Sequence, residues 1–125
     1  MASIFSKIIA GEIPSYKIYE DEKCYAFLDI NPEAEGHTLV VPKNEVDKIY
    51  ELPDDDYVAL WAAVKKVAAH LEDVTGRRAI LKVIGVDVPH AHVHVIPYDE
   101  ERFKAGGTIE MSQDELKAVC DKLAF

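Results

Sequence analysis

Three of the chain's five histidines stand at alternate positions in one run, His90-Ala91-His92-Val93-His94-Val95-Ile96. Alternation is the period of an extended strand. It predicts that His90, His92 and His94 project from one face while Ala91, Val93 and Val95 point to the other, where a core covers them. Imidazole is the side chain whose ordinary pKa lies nearest neutral pH, and crowding three together makes it costly for all to be charged at once. At least one ring is therefore expected to be neutral near pH 7, with a lone pair free for attack on an electrophile or for a metal ion.

Those two chemistries compete on the residues alone. His-x-His on a strand can place two nitrogens on one Zn²⁺, but the first and third histidines are about 13 Å apart at Cα along a strand. One ion cannot take all three without another element. In nucleophilic catalysis the central ring attacks while its neighbours orient it or hold the substrate. A merely solvated histidine-rich face is disfavoured by three in register on a valine-rich strand.

The surrounding sequence predicts the scaffold. Ser3 caps a short helix running to about Ala10, with Gly11 as its stop. Tyr16–Tyr19 and Cys24–Leu28 form a hairpin about Asp21-Glu22. Asn31-Pro32 to Gly36 is a loop, and Thr38–Val41 is a buried strand ended by Pro42. Val46–Leu52 reads as a short helix. Asp54, Asp55 and Asp56 open the longest helix, their charge suiting the positive end of its dipole. Its stripe is Tyr57, Leu60, Trp61, Val64, Val67, Ala68, Leu71 and Val74, and Gly76 closes it. Arg78–Ile84 and Ala91–Ile96 read as strands four and five, with Gly85–Pro89 a tight hairpin connection. Ser112-Gln113-Asp114-Glu115 is a capping box for a C-terminal helix bearing Leu116, Val119, Cys120 and Leu123. The expected fold is α+β: a five-stranded antiparallel sheet with one long helix packed on it, plus short N-terminal and C-terminal helices. The 125 residues suit one domain, 1–125, with its core in 3–97 and an extension over 98–125.

Composition narrows the partners. With 14 basic and 23 acidic residues the net charge is −9, which disfavours non-specific binding to nucleic acid or an anionic membrane. No run is long enough to cross a bilayer, and the apolar stretch Ile8-Ile9-Ala10 is too short for a signal peptide. Cys24 and Cys120 lack metal spacing and read as reduced thiols of a cytoplasmic protein.

Four blocks in order give the chain a further reading. They are Ile4-Phe5-Ser6-Lys7-Ile8-Ile9-Ala10-Gly11-Glu12-Ile13-Pro14 with Tyr19-Glu20-Asp21, then Ala26-Phe27-Leu28-Asp29-Ile30-Asn31-Pro32, then Gly36-His37-Thr38-Leu39-Val40-Val41-Pro42-Lys43, then the triad itself. Together they resemble the histidine-triad (HIT) family of nucleotide-binding proteins over nearly the whole chain to about Pro97. The resemblance implies the same fold, a purine nucleotide of AMP or GMP type as ligand, a homodimer and no cofactor. It assigns His92 as the nucleophile on a nucleotide's α-phosphorus, His94 as the phosphate contact and His90 as an orienting residue. Asp29 matches the ribose-binding acid, and Phe5, Ile8, Phe27 and Ile30 match the apolar slot around the base. Without the resemblance Asp29 reads as a turn residue and the four apolar residues as core. His37 and His70 read as structural or solvated, and Lys43 and Lys82 as solvated rather than phosphate-attracting.

Two departures stand out. Some family members hold a structural zinc with a Cys-x-x-Cys, a histidine after Pro-Lys and the first triad histidine. Ser3, Ser6 and Asn44 stand at the first three of these positions, so no metal is expected. Many members also carry Gln and Ser/Thr donors just before the triad, where this chain has Gly85-Val86-Asp87-Val88-Pro89. The phosphate is left to His92, His94 and backbone N–H groups such as that of Val88. Each missing preorganised donor can cost roughly a hundred- to a thousandfold in rate. The reading is a metal-independent hydrolase that cleaves purine nucleoside phosphoramidates through a nucleotidyl-histidine intermediate. The alternatives are a dinucleoside polyphosphate hydrolase, a purine-nucleotide binding module with vestigial activity and, more distantly, a metal-dependent hydrolase.

Overall fold

Every residue of Cys24–Leu28 is buried, because both faces of that strand are covered. The computed structural model describes residues 2–125, leaving Met1, the first residue of the predicted domain, outside it. Its elements are α1 (Ile4–Ile9), β1 (Lys17–Glu20), β2 (Cys24–Leu28), β3 (Thr38–Pro42), α2 (Asp54–Thr75), β4 (Ala79–Lys82), β5 (Val93–Pro97), α3 (Glu100–Ala105) and α4 (Gln113–Leu123). The strands form one sheet in the order β1-β2-β3-β5-β4, and every pairing is antiparallel. The α+β architecture expected from the sequence is the one observed.

Side-chain alternation divides the apolar residues between the two faces. Cys24, Ala26, Leu28, Val40, Ala91, Val93 and Val95 meet Leu60, Val64, Val67 and Leu71 of α2 and Leu116, Val119 and Leu123 of α4. On the other face Tyr25, Phe27, Leu39 and Val41 pack under Phe5, Ile8 and Ile9 of α1. The long helix thus backs the sheet, and the short one roofs the face that carries the histidines. Gly76 caps α2 in the left-handed conformation, φ +70°, which glycine adopts without a Cβ clash.

Four boundaries differ from expectation. Val46–Leu52 contains only a 3₁₀ turn, Ile49–Glu51. The Val46 carbonyl is instead occupied by the Ala91 N–H at 2.7 Å, tying that segment to the triad run. Strand β4 stops at Lys82 and β5 starts at Val93, so residues 83–92 form a longer connection than a tight hairpin. Only His94 of the triad therefore lies in a regular strand, although Ala91, Val93 and Val95 all enter the α2 core as alternation requires. Helix α3 was not anticipated; Asp99 caps it, accepting from the Arg102 N–H at 3.1 Å.

Gly36 is constrained twice. Its φ is +91°, and a Cβ there would lie 3.0 Å from Pro97 Cγ and 3.2 Å from Leu123 Cδ1. The tight turn delivers His37 to the start of β3. Gly36→Ala is expected to lower stability by roughly 2 kcal/mol or more, measured by urea unfolding. An unchanged midpoint would contradict this account.

Candidate active site

His90 is fully buried, and its partners fix its protons. Nε2 lies 2.7 Å from the Pro42 carbonyl, which can only accept, so Nε2 carries the hydrogen. Nδ1 is then an acceptor for the Ser3 hydroxyl at 2.7 Å. Ser3 in turn caps α1, accepting from the Ser6 N–H at 3.0 Å. Glu45 locks this corner from outside, accepting from the Ser3 N–H and the Ser6 hydroxyl, both at 2.6 Å. The Ser3 N–H, followed by the Ser6 hydroxyl, holds the Glu45 carboxyl down at about 2. His90 thus anchors the N-terminal helix rather than reaching the reaction space.

Its backbone does the orienting. The His90 carbonyl lies 2.6 Å from Nδ1 of His92, so Nδ1 donates and the lone pair of a neutral His92 ring sits on Nε2. Phe5 presents an edge-to-face contact to this ring, centroids 5.0 Å apart, and His94 another at 5.1 Å. The expected orienting role of His90 is therefore met by its main chain, not by its imidazole.

A second chain of hydrogen bonds fixes His94. The Glu33 N–H donates to Nδ1 of His37 at 3.0 Å, leaving the proton of a neutral His37 on Nε2. That nitrogen lies 2.9 Å from Nδ1 of His94 and donates to it, so His94 carries its own proton on Nε2 as a donor. Burial pushes both pKa values down to about 4, against Glu33 at His37 and helped by the His37 and His92 rings at His94, and it lowers that of His90 as well. Desolvation leads in all three, and repulsion between rings follows it directly only at His94, whereas the sequence puts the emphasis on repulsion. His37, buried and hydrogen-bonded, is part of the site and not solvated. The turn at Gly36 and the β3–β5 register bring it there, and neither can be read from the local sequence.

A cleft of about 310 Å³ opens over these rings, lined by Phe5, Asp29, His37, Leu39, Val88, His92 and His94, with Asp87 and Thr108 among its other walls. Asp29 is half-buried; burial raises its pKa, against the Asn31 N–H that lowers it. Of the predicted base-slot residues only Phe5 lines the cleft. Phe27 supports it from below, ring centroids 5.4 Å apart, and Ile8 packs behind in the same cluster. Ile30 is 60% exposed and stands outside. Lys43 is paired with Glu20 at 2.9 Å and Lys82 with Glu33 at 2.7 Å. His70 stacks on Phe125 at 3.9 Å. Thr108, from the extension, was not foreseen because only tertiary folding returns that segment to the sheet.

Two places could invite a metal by position, and neither donor set suits one. At Ser3, Ser6, Asn44 and His90 the oxygens are hydroxyls in hydrogen bonds, the Asn44 amide donates to Asp56 at 2.9 Å, and His90 Nδ1 already accepts from Ser3. Asp29, His37 and His94 lie within 4.8 Å of one another. Binding through His37 Nε2 would move its proton to Nδ1, where it would face the Glu33 N–H, donor against donor. A ligating imidazole needs an acceptor at its other nitrogen.

The depressed values make stability pH-dependent with a definite sign. Between the ordinary histidine value near 6.5 and about 4 the unfolded chain takes up protons that folded His37 and His94 refuse. Stability therefore falls as pH drops through that window and levels off below it. Melting temperatures measured from pH 7 to 4 are expected to decline, and less steeply in His37→Gln; equal slopes would contradict the assignment.

Residues 10–101 match the HIT domain family. An uncharacterised HIT-like protein of Methanocaldococcus jannaschii is 42% identical over 121 residues, covering 90% of this chain and 94% of its own. A Schizosaccharomyces pombe protein named adenosine 5'-monophosphoramidase is 33% identical, covering 99% and 97%. Among solved structures, a HIT-like protein of Bartonella henselae superimposes with a TM-score of 0.84 at 29% identity, covering 97% and 93%. With this sequence match, this fold and three histidines disposed in this way, the chain belongs to the HIT domain family.

Proposed function

We propose that the protein is a nucleotide hydrolase that cleaves purine nucleoside phosphoramidates, with AMP or GMP as product. The observation that carries this reading is a pair of hydrogen bonds in one cleft, His92 Nδ1 to the His90 carbonyl at 2.6 Å and His94 Nδ1 to His37 Nε2 at 2.9 Å, from which we infer a lone pair on Nε2 of neutral His92 and a hydrogen on Nε2 of His94. Nε2 of His92 attacks the phosphorus; the Nε2–P bond forms as the P–N bond breaks. The departing nitrogen keeps the bonding electron pair and takes one proton from solvent. Water then attacks the nucleotidyl-histidine, releasing the nucleoside monophosphate, returning the pair to Nε2 and shedding a proton. The two displacements replace one harder step. The His94 N–H supports charge developing on the non-bridging oxygens, and Asp29 accepts from the ribose hydroxyls. Phe5, Leu39 and Val88 give the base an apolar wall with few polar discriminators, which favours broad purine tolerance.

Similarity to relatives named adenosine 5'-monophosphoramidase supports this substrate class. The donor sets described above favour a metal-independent reaction. A binding module with vestigial activity is the second reading, favoured by Asp87 on the cleft wall where an anion would sit. The chain is read as one domain acting in the cytoplasm; among the described residues no helix is long and apolar enough to cross a membrane. A homodimer is proposed through the free edge of β4, where Leu81 and the following Val83 and Ile84 are exposed, since an open edge is a template for pairing.

Incubation with adenosine 5'-phosphoramidate is expected to release AMP at a rate unchanged by chelator. His92→Ala is expected to lower that rate roughly a thousandfold or more. Binding without turnover would favour the module; loss of activity with chelator would revive a metal. Light scattering is expected to give twice 14.0 kDa, and a monomer at micromolar concentration would remove the dimer.

A further inference from the structure

Residue 33 is fastened from three directions. Its N–H donates to Nδ1 of His37 at 3.0 Å, and its carbonyl accepts from Nε of Arg102, on α3, at 3.1 Å. Its carboxylate accepts from Nζ of Lys82, on β4, through both oxygens, at 2.8 and 2.7 Å. Lys82 stands opposite His94 in the β4–β5 register, and directly opposed side chains share one face of a sheet. The Glu33–Lys82 ion pair thus lies beside the bond between His37 and His94, with Glu33 in the cleft wall.

That bond depends on a neutral His37. Its one proton is on Nε2, because Nδ1 accepts from the Glu33 N–H. A second proton would sit on Nδ1 and oppose that N–H, donor against donor, driving the ring away from the main chain and from His94. The charges around the ring set how readily this happens. Two carboxylates favour the cation: Asp29, just past β2, with Oδ2 3.7 Å from Nε2, and Glu33, on the loop before the ring. Against it stand His94 of β5, ring centroids 5.1 Å away, His92 beyond it, Lys82 of β4 and Arg102 of α3. Burial, opposed by Glu33 and assisted by Lys82, leaves His37 titrating at about 4. Lys82 acts twice: it matches the Glu33 charge, and it repels a cation at His37.

We propose that Lys82 is a positioning residue for the cleft donor: it withholds the Glu33 charge from His37 and so preserves the hydrogen on Nε2 of His94. The consequence for turnover rests on the hydrolase reading above; the proton placement does not. An ion pair that only braced the loop would suffer alike from loss of either partner. Here the two partners have opposite effects. Without the ammonium, the bare carboxylate draws a proton onto His37. Without the carboxylate, the ammonium repels one. Removing both charges leaves the ring neutral again.

Nitrogen-15 NMR of ring-labelled histidine reads the protonation of His37. In the wild type His37 is expected to be neutral down to pH 5. Lys82→Met and Lys82→Gln are each expected to raise its midpoint by about one pH unit or more. AMP release from adenosine 5'-phosphoramidate is then expected to decline at a correspondingly higher pH, through kcat and not KM. Lys82→Arg is expected to restore both. Glu33→Gln, alone or combined with Lys82→Met, is expected to keep His37 neutral over the same range. An unmoved midpoint in the Lys82 variants, an equal rise in Glu33→Gln, or a double variant that stays raised would overturn the assignment. A Lys82-dependent midpoint in a protein without turnover would support it and overturn the hydrolase reading alone.

Discussion

A hydrogen bond of 2.6 Å from Nδ1 of His92 to the carbonyl of His90 determines which nitrogen of the central ring can act. A free imidazole exchanges its proton between two nitrogens; with Nδ1 committed to the main chain, the lone pair of the neutral ring is on Nε2. A main-chain acceptor removes that ambiguity more firmly than a second imidazole would, since a carbonyl has no donor form. The other assignments follow. For the carbonyl to stay in place the His90 residue must be immobile, so its ring is buried and satisfied at both nitrogens, by Pro42 and Ser3.

The two flanking histidines illustrate one device used in opposite senses. His90 faces inward and ties α1 to the sheet, donating to the Pro42 carbonyl of β3 and accepting from the Ser3 hydroxyl that caps α1. Through that helix Phe5 is set against the His92 ring. His94 faces the cleft, and its proton is assigned from behind by Glu33 and His37. Each chain of bonds begins at a main-chain group with fixed polarity, the first ending at the Ser3 cap of α1 and the second at His94 in the cleft wall. Burial keeps the rings neutral, so the pattern of donors and acceptors persists at neutral pH without any cation to enforce it. In water-poor surroundings such a satisfied network also gains strength, while a single missing partner would be costly.

The extension past β5 gives the site its outer boundary. Leu116, Val119 and Leu123 of α4 join the same core as α2, anchoring one end. Arg102 and the Pro32 carbonyl fasten the other across the loop that carries Glu33. Thr108 reaches the cleft as a consequence of this double fastening. A segment with little regular structure is thereby held with definite geometry beside the cleft histidines.

The sequence by itself determined the scaffold and singled out the histidine run that stands over the cleft. Period-two alternation assigned Ala91, Val93 and Val95 to the helix-backed face, the stripe on α2 assigned Leu60, Val64, Val67 and Leu71 to the core although its first member Tyr57 is exposed and buried Ala63 fell outside it, and Ser3 and Ser112 announced their caps. These are local signals, repeated every two or three to four residues, and they survive without knowledge of neighbours. Tertiary structure alone decided the rest. His37 joined the site because Gly36 turns the chain and β3 pairs with β5, a contact across 57 residues of sequence. Ile30 left the site because its strand had ended and its side chain met solvent. His90 turned from partner to anchor because the strand begins only at Val93. Proton positions on imidazoles depend on which acceptor lies opposite, and opposition is a property of folded space.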